Sequence, residues 1–241
     1  MKYALIILLL FLLILPGGVQ LHAQDTSNVV KVNFDEALKK GNFVLSVGVN
    51  FFTNVVKNED QLIYYALDDY ERNINIKLGA GYFIKDNHPI GIGFRYFSRT
   101  SNVVYENIQQ DTITYNEESR DYITNIFYGI AKPLFNSKRV YMISDPSLFF
   151  SIGSTKANRE VNKMTELSNT NRYSISLGLN VGILVFLAPK MSAQVSVGPV
   201  GVGYTWEKFY LNDVPNGDTA NFFVRMSPSL LNFEFTMSRY F

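Results

Sequence analysis

Three observations predict an all-β chain folded as a single closed antiparallel transmembrane barrel of eight strands, with short turns at one end and long loops at the other. Stretches of about ten residues alternate apolar and polar side chains, which is the period of a strand and the length a tilted membrane strand needs. The connections between these stretches alternate short and long. The polar faces carry small side chains and the apolar faces bulky ones, an arrangement unsuited to a barrel packed in water.

The first 23 residues join one lysine to an unbroken apolar run, Ala4 to Leu15, followed by a Pro-Gly break. That run is shorter than the ~20 residues of a spanning helix, and Leu21-His22-Ala23 offers a small residue at the cut. Residues 1–23 are therefore expected to be a cleaved secretory signal peptide. No cysteine occurs, so disulfides, thiolate metal sites and a cysteine-linked lipid anchor are excluded. Export without disulfides points to a bacterial envelope. Residues 24–40 are expected to form a periplasmic lead-in, solvated because termini are loosely held unless something docks them; the alternative is a plug in the lumen. Within it "FDEALKKGNF" has the makings of one or two helical turns that Gly41 stops. Residues 41–241 are then the barrel domain.

The clearest strands are Asn42–Phe51, Ile74–Ile84, Ile90–Arg99, Arg172–Val185 and Met191–Tyr204. Tyr122–Ala131 and Val140–Gly153 alternate less cleanly, and Leu230–Phe241 closes the set. Pro146, Pro199 and Pro228 fall inside or beside strands, where a residue without an amide calls for a bulge. Short turns are expected at Lys85–Pro89, Pro133–Arg139 and Ala188–Lys190. Long, polar loops are expected at Phe52–Asn73, Thr100–Asp121, Ser154–Asn171 and Glu207–Asn221, and acids outnumber bases in all but the third. Those loops therefore predict an acidic outer surface.

Face assignment follows from size. Ser46, Gly48 and Asn50 share one parity within their strand, as do Gly79 and Gly81, Gly91 and Gly93, the Ser174 to Gly182 series, and Ser196 with Gly198. Small residues fit the inside of a narrow barrel. The opposite faces, Phe43 to Phe51 and Tyr173 to Ile183 among them, would aggregate in water and match lipid. Tyr82, Tyr96, Tyr122, Trp206 and Tyr240 fall near strand ends, as interfacial aromatic girdles do. The last strand must pair with the first, since an open sheet edge does not persist in hydrocarbon.

With that pattern in place, "GNFVLSVGVNF", "LGAGYFIKDNHPIGIGFRYF" and "FEFTMSRYF" resemble the small outer-membrane β-barrel family of OmpA/OmpX-like architecture, over about Gly41 to Phe241. The resemblance implies a location in the cell outer membrane, in contact with its lipid and lipopolysaccharide. It also implies that the terminal strand is read by the barrel-assembly machinery, with Phe233, Phe235 and Phe241 as recognition residues; Arg239 stands where an apolar residue is more usual. It leaves activity open, because such barrels serve many roles.

Composition and motifs narrow the activity. Charged residues make up 18% of the chain and aromatics 15%, the net charge is +1, and no Lys/Arg cluster lies on a predicted helix, so nucleic acid is excluded as a partner. His22 leaves with the signal peptide and His88 falls in a predicted turn, so no histidine is placed for a hydrolase triad. Glu59-Asp60, Asp68-Asp69 and Glu117-Glu118 are adjacent acids of the kind solvated loops carry. No Asp-x-Asp-x-Asp-Gly pattern marks a metal loop. The chain is read as a non-enzyme without cofactor or metal, a barrel with a structural or partner-binding role whose surface or envelope partner is not encoded. The alternatives are a narrow channel or carrier for small or amphipathic solutes, and an accessory barrel of a secretion machine. Five charges, Lys77, Arg95, Arg99, Asp145 and Glu234, lie on inward parity. Counting from the turns places all but Arg99 at one depth, where opposite charges would pair across the lumen.

Overall fold

Residues 34–60, 65–106, 112–135, 137–161, 164–225 and 233–241 are described by the computed structural model; residues 1–33, and with them the expected signal peptide, lie outside the described part. The strands are β1 (Phe43–Asp60), β2 (Tyr65–Lys85), β3 (His88–Glu106), β4 (Thr112–Tyr128), β5 (Ile130–Pro133), β6 (Val140–Val161), β7 (Met164–Ala188), β8 (Met191–Leu211), β9 (Val214–Arg225) and β10 (Phe233–Tyr240). All pair antiparallel in the order β10-β1-β2-β3-β4-β6-β7-β8-β9, and β8 also pairs with β10, so the sheet closes on itself. Because β4 with β5, and β9 with β10, are parts of single staves, the ring has eight staves. The last stave pairs with the first from Val44↔Tyr240 to Val49↔Phe235, as closure requires.

Each proline behaves according to its position. At Pro146 the ladder is interrupted without a bulge: Phe127 pairs with Ser147 and Ile130 with Ser144, so the register is unchanged across the gap. The chain breaks at Gly129 on the neighbouring stave instead, whose amide donates to the Pro89 carbonyl at 2.6 Å. At Pro199 the expected bulge is present, since Leu179 pairs with Val200 but Val181 with Val197, leaving Asn180 opposite two residues. Pro228 lies outside the described residues.

The short connections fall where the sequence placed them, at Asp86-Asn87, at residues 134–139 and at Pro189-Lys190; this is called the turn end below. The long connections at the other end are built largely of strand. β6 and β7 stay paired to Val161↔Met164, and β2 and β3 to Tyr65↔Glu106. Where a loop was expected at Glu207–Asn221, β8 and β9 meet in a two-residue turn with Asn212 at φ 48° and Asp213 at φ 63°. Two successive positive φ values match the right-handed twist of a hairpin. This hairpin end thus carries a wall of sheet beyond the apolar zone.

Outward faces at mid-height are apolar and open. Phe43, Leu45, Ile92, Leu177 and Phe235 are each more than half exposed. The lumen is lined by small polar groups, with Ser192, Ser196, Thr236 and Ser238 nearly inaccessible. One row of Cα partners, Tyr96, Tyr122, Ile152, Tyr173 and Trp206, bounds the apolar zone toward the hairpin end.

The lead-in does not lie free in solvent throughout. Phe34–Leu38 forms a 3-10 helix whose Phe34, Ala37 and Leu38 are buried against Phe83, Tyr141, Ile143, Leu184, Phe186 and Tyr240 at the turn end of the lumen. The i, i+3, i+4 spacing gives this short segment one apolar face. Polar contacts fix it: Asn87 N–H donates to the Leu38 carbonyl at 2.7 Å and the Asn42 amide to the Glu36 carbonyl at 2.6 Å. The Arg139 guanidinium lies 4.7 Å from the Phe34 ring centroid.

Candidate functional site

The lumen holds the charges. Lys77 on β2 and Arg95 on β3 are Cα partners, so two cations stand side by side, which is unfavourable without an anion between them. Glu234 on β10 supplies it. Its Oε1 lies 2.7 Å from Lys77 Nζ, and its Oε2 pairs with the Arg95 guanidinium. Gly48 makes room on the intervening strand: a Cβ there would stand 2.9 Å from both Thr236 Oγ1 and the Phe235 carbonyl.

Asp145 lines a cavity of about 90 Å³ together with Lys77, Asn125, Asn180 and Tyr240, on the side of the bridge nearer the plug. Arg99 stands apart from the other four, pairing with Glu71 at 3.0 Å nearer the hairpin end. Of the five inward charges, then, three are joined directly, Asp145 shares a cavity with Lys77, and Arg99 belongs to another group.

A second bridge crosses the lumen above the first. Arg172 on β7 lies 2.7 Å from Glu207 on β8 and 3.6 Å from Asp121 on β4. This triad was not foreseen from the sequence, although Arg172 shares the parity of Ser174 and Ser176. Asp121 and Glu207 were assigned to loops because the strands were ended at the aromatic row. The two bridges bound a chamber of about 400 Å³, and beyond Arg172 a further space of about 350 Å³ is lined by Arg99, Tyr115 and Glu117. Tyr115 donates to Glu117 at 2.9 Å, and burial together with that carboxylate pushes the phenol up to about 12, so it remains a donor.

From plug to hairpin end the interior is therefore closed by an apolar cluster, crossed by one charge bridge, and crossed again by another. His88 sits on the rim of the turn end, its Nδ1 2.8 Å from the Tyr128 hydroxyl. Among the terminal aromatics, Phe235 and Phe241 point outward and are exposed. Phe241 and Phe43 exchange two backbone hydrogen bonds at 2.9 and 3.2 Å, and the Arg239 guanidinium covers the Phe241 ring at 5.2 Å. Arg239 thus shields an aromatic with its stem and charge. The Phe233 backbone pairs with Val197; its side chain lies outside the described residues.

No protein-family model matches the chain, and no curated protein matches it. Among solved structures it is similar to Neisserial surface protein A, with a TM-score of 0.33, 12% identity, and 84% of this chain and 98% of that one covered. It is similar to Ail, the attachment invasion locus protein of Yersinia pestis, with a TM-score of 0.33, 12% identity, and 84% and 99% covered. It is also similar to a major outer membrane protein from Thermus thermophilus, with a TM-score of 0.40, 8% identity, and 83% and 99% covered. At this distance the likeness bears on neither location nor role.

Proposed function

We propose that the protein is a non-catalytic barrel of the bacterial outer membrane, holding a closed lumen across the bilayer and presenting a rigid sheet wall to the outside. One observation carries the reading: a ring-closed sheet exposes large apolar side chains around its middle and keeps its small polar ones inside. In water that belt would drive association. In hydrocarbon it is matched, and closure leaves no backbone edge within the zone where β10, β1 and β8 pair. The turn end faces the periplasm and the hairpin end the exterior, where the wall meets a surface or envelope partner. Two charge bridges and an apolar plug favour this role over a channel or carrier.

The sidedness is testable because the chain has no cysteine of its own. Asn216→Cys near the β8–β9 turn is expected to react with a membrane-impermeant maleimide on intact cells, whereas Lys190→Cys reacts only after permeabilisation. The reverse pattern would invert the orientation, and equal reaction in a soluble fraction would remove the protein from the membrane.

We further infer that Phe233, Phe235 and Phe241 form the signal read by the barrel-assembly machinery. Phe241 is solvent-facing and adds only one pair of hydrogen bonds to the closing seam, so its loss should touch insertion more than stability. Deleting Phe241 is expected to lower the yield of heat-modifiable, folded protein in membranes while purified protein refolded in detergent melts as before. Normal insertion of the deletion would reduce the terminal residue to packing.

A further inference from the structure

The lumen wall changes character around the chamber between the two bridges. Three rows of Cα partners line its β6 to β9 side, each about 6.7 Å nearer the hairpin end than the last. The first reads Phe149, Ser176, Gly203 and Phe223, two aromatic rings flanking a trough of small residues. The Phe223 ring turns into the lumen, so that a Cβ on Gly203 would stand 2.6 Å from its tip. The second row reads Ser151, Ser174, Thr205 and Asn221, three hydroxyls and an amide. The third holds Arg172 and Glu207, bridged to each other. Ile123 on β4 adds another large apolar side chain to the chamber. Polarity thus rises toward the hairpin end within one space of about 400 Å³.

The charges that reach the chamber are matched within the protein, Arg95 by Glu234 and Arg172 by Glu207 and Asp121. What the wall offers a ligand is hydroxyls, an amide and apolar surface. Water alone suits it poorly, because a buried water needs several polar partners and the first row presents rings. The chamber also meets the place where the ring is not stitched. Among the described residues β9 pairs on one side alone, with β8, and β1 beyond Val49 on one side alone, with β2. Along its free edge β9 turns Asn221 and Phe223 to the chamber. Its outward Phe222 and Val224 are exposed, in register with Tyr204 and Val202 of the apolar belt. An open sheet edge at hydrocarbon depth is tolerated only where its backbone lines a cavity.

We propose that this chamber binds an uncharged single-chain amphiphile with a hydroxyl head, taken in sideways from the outer leaflet past the free edge of β9. The assignment rests on the outer-membrane reading and orientation above. In that orientation the molecule keeps the direction it has in the leaflet, head toward the exterior and chain toward the midplane, and enters without turning over. Its hydroxyl meets the row from Ser151 to Asn221, and its chain lies in the trough against Phe149, Phe223 and Ile123. The chain exchanges one apolar surrounding for another, so selectivity resides in the hydroxyl row, whose hydrogen bonds form away from bulk water. An ionised head would stand against the Arg172 bridge and disturb a set of charges already satisfied. The plug and the bridges close the axial routes, which makes the site a pocket of the bilayer rather than a pore.

The test uses the full-length barrel in phosphatidylcholine nanodiscs and decanol carrying a diazirine at its chain end, with light-induced adducts mapped by peptide mass spectrometry. Inner adducts are expected at Phe149, Phe223 or Ile123, besides the belt adducts that any membrane-dissolved probe makes at exposed residues such as Phe43 and Ile92. Thr205→Trp and Ser174→Phe, which fill the chamber from β8 and β7, should each lose the inner adducts and keep those of the belt. Heat-modifiable migration confirms that each variant is a closed barrel. Inner adducts that persist in either closed variant would overturn the site, and equal inner labelling by a short diazirine alcohol that stays in water would overturn the sideways entry. Belt adducts alone in the unmodified protein would sink this site and leave the barrel reading standing. With neither set, the apolar face does not meet lipid, and that reading falls together with the site.

Discussion

Glu234→Ala is expected to cost about 3–5 kcal/mol of stability, the range for removing one partner of a buried ion pair and leaving the other charge behind. Here two cations would be left, Lys77 and Arg95, adjacent on neighbouring strands and only 19% and 16% exposed at their side chains. Asp145 faces the same cavity as Lys77 and is the nearest source of partial compensation, so the loss should fall short of two fully isolated charges. Glu234→Gln keeps the shape and one acceptor, and should cost less than the alanine variant. Urea unfolding in detergent, followed by heat-modifiable migration, measures both. A Glu234→Ala protein as stable as the parent would mean that lumen water already screens these charges, and the bridge would then be incidental.

The strands of the apolar zone were legible because alternation survives burial on one face and lipid on the other. Phe43, Leu45, Ile90, Ile92 and Phe94 are outward and exposed, as their period required, and Gly48, Gly81 and Gly93 are inward and buried. The wall beyond the aromatic row was harder to read. There both faces of the sheet meet water, so polarity no longer alternates, and segments such as Thr112–Asp121 look like loop until their pairing is seen. Asn212-Asp213 was a readable signal for a tight hairpin, masked by the polar residues around it.

The same cause explains the lumen charges. Lys77, Arg95 and Glu234 sit within alternating strands and could be placed by parity; Asp121 and Glu207 sit just past the point where alternation fades. Depth counted from the turns brought Arg95, Lys77 and Glu234 together because β1, β2 and β3 run in register without a bulge in that zone. It could not foresee that Glu71, assigned to a loop, continues β2 inward and takes Arg99. The plug was legible only as the less favoured alternative, for another reason: Phe34, Ala37 and Leu38 form an apolar face of one turn, and nothing local says which surface covers it.

That plug carries the second large expectation. Leu38 is 2% exposed and Phe34 5%, and with Phe83, Phe186 and Tyr240 they form an aromatic and aliphatic seal. Leu38→Ala should cost about 2–5 kcal/mol in the manner of other core truncations, and Leu38→Asp should expel the helix, since a buried carboxylate has no partner there. Conductance separates the two closures. Unmodified protein in planar bilayers is expected to show no steady current, and neither Leu38→Asp nor Glu234→Ala alone should open a path, because each leaves another barrier intact. Combining them removes the seal and the first bridge, leaving only Arg172 with Asp121 and Glu207, a bridge whose Arg172 side chain is one-third exposed. Current through the double variant, selective for anions because Lys77 and Arg95 then line the passage with only Asp145 to offset them, is the expected result. Steady openings of the unmodified barrel would make it a channel, and a silent double variant would place the decisive barrier at Arg172.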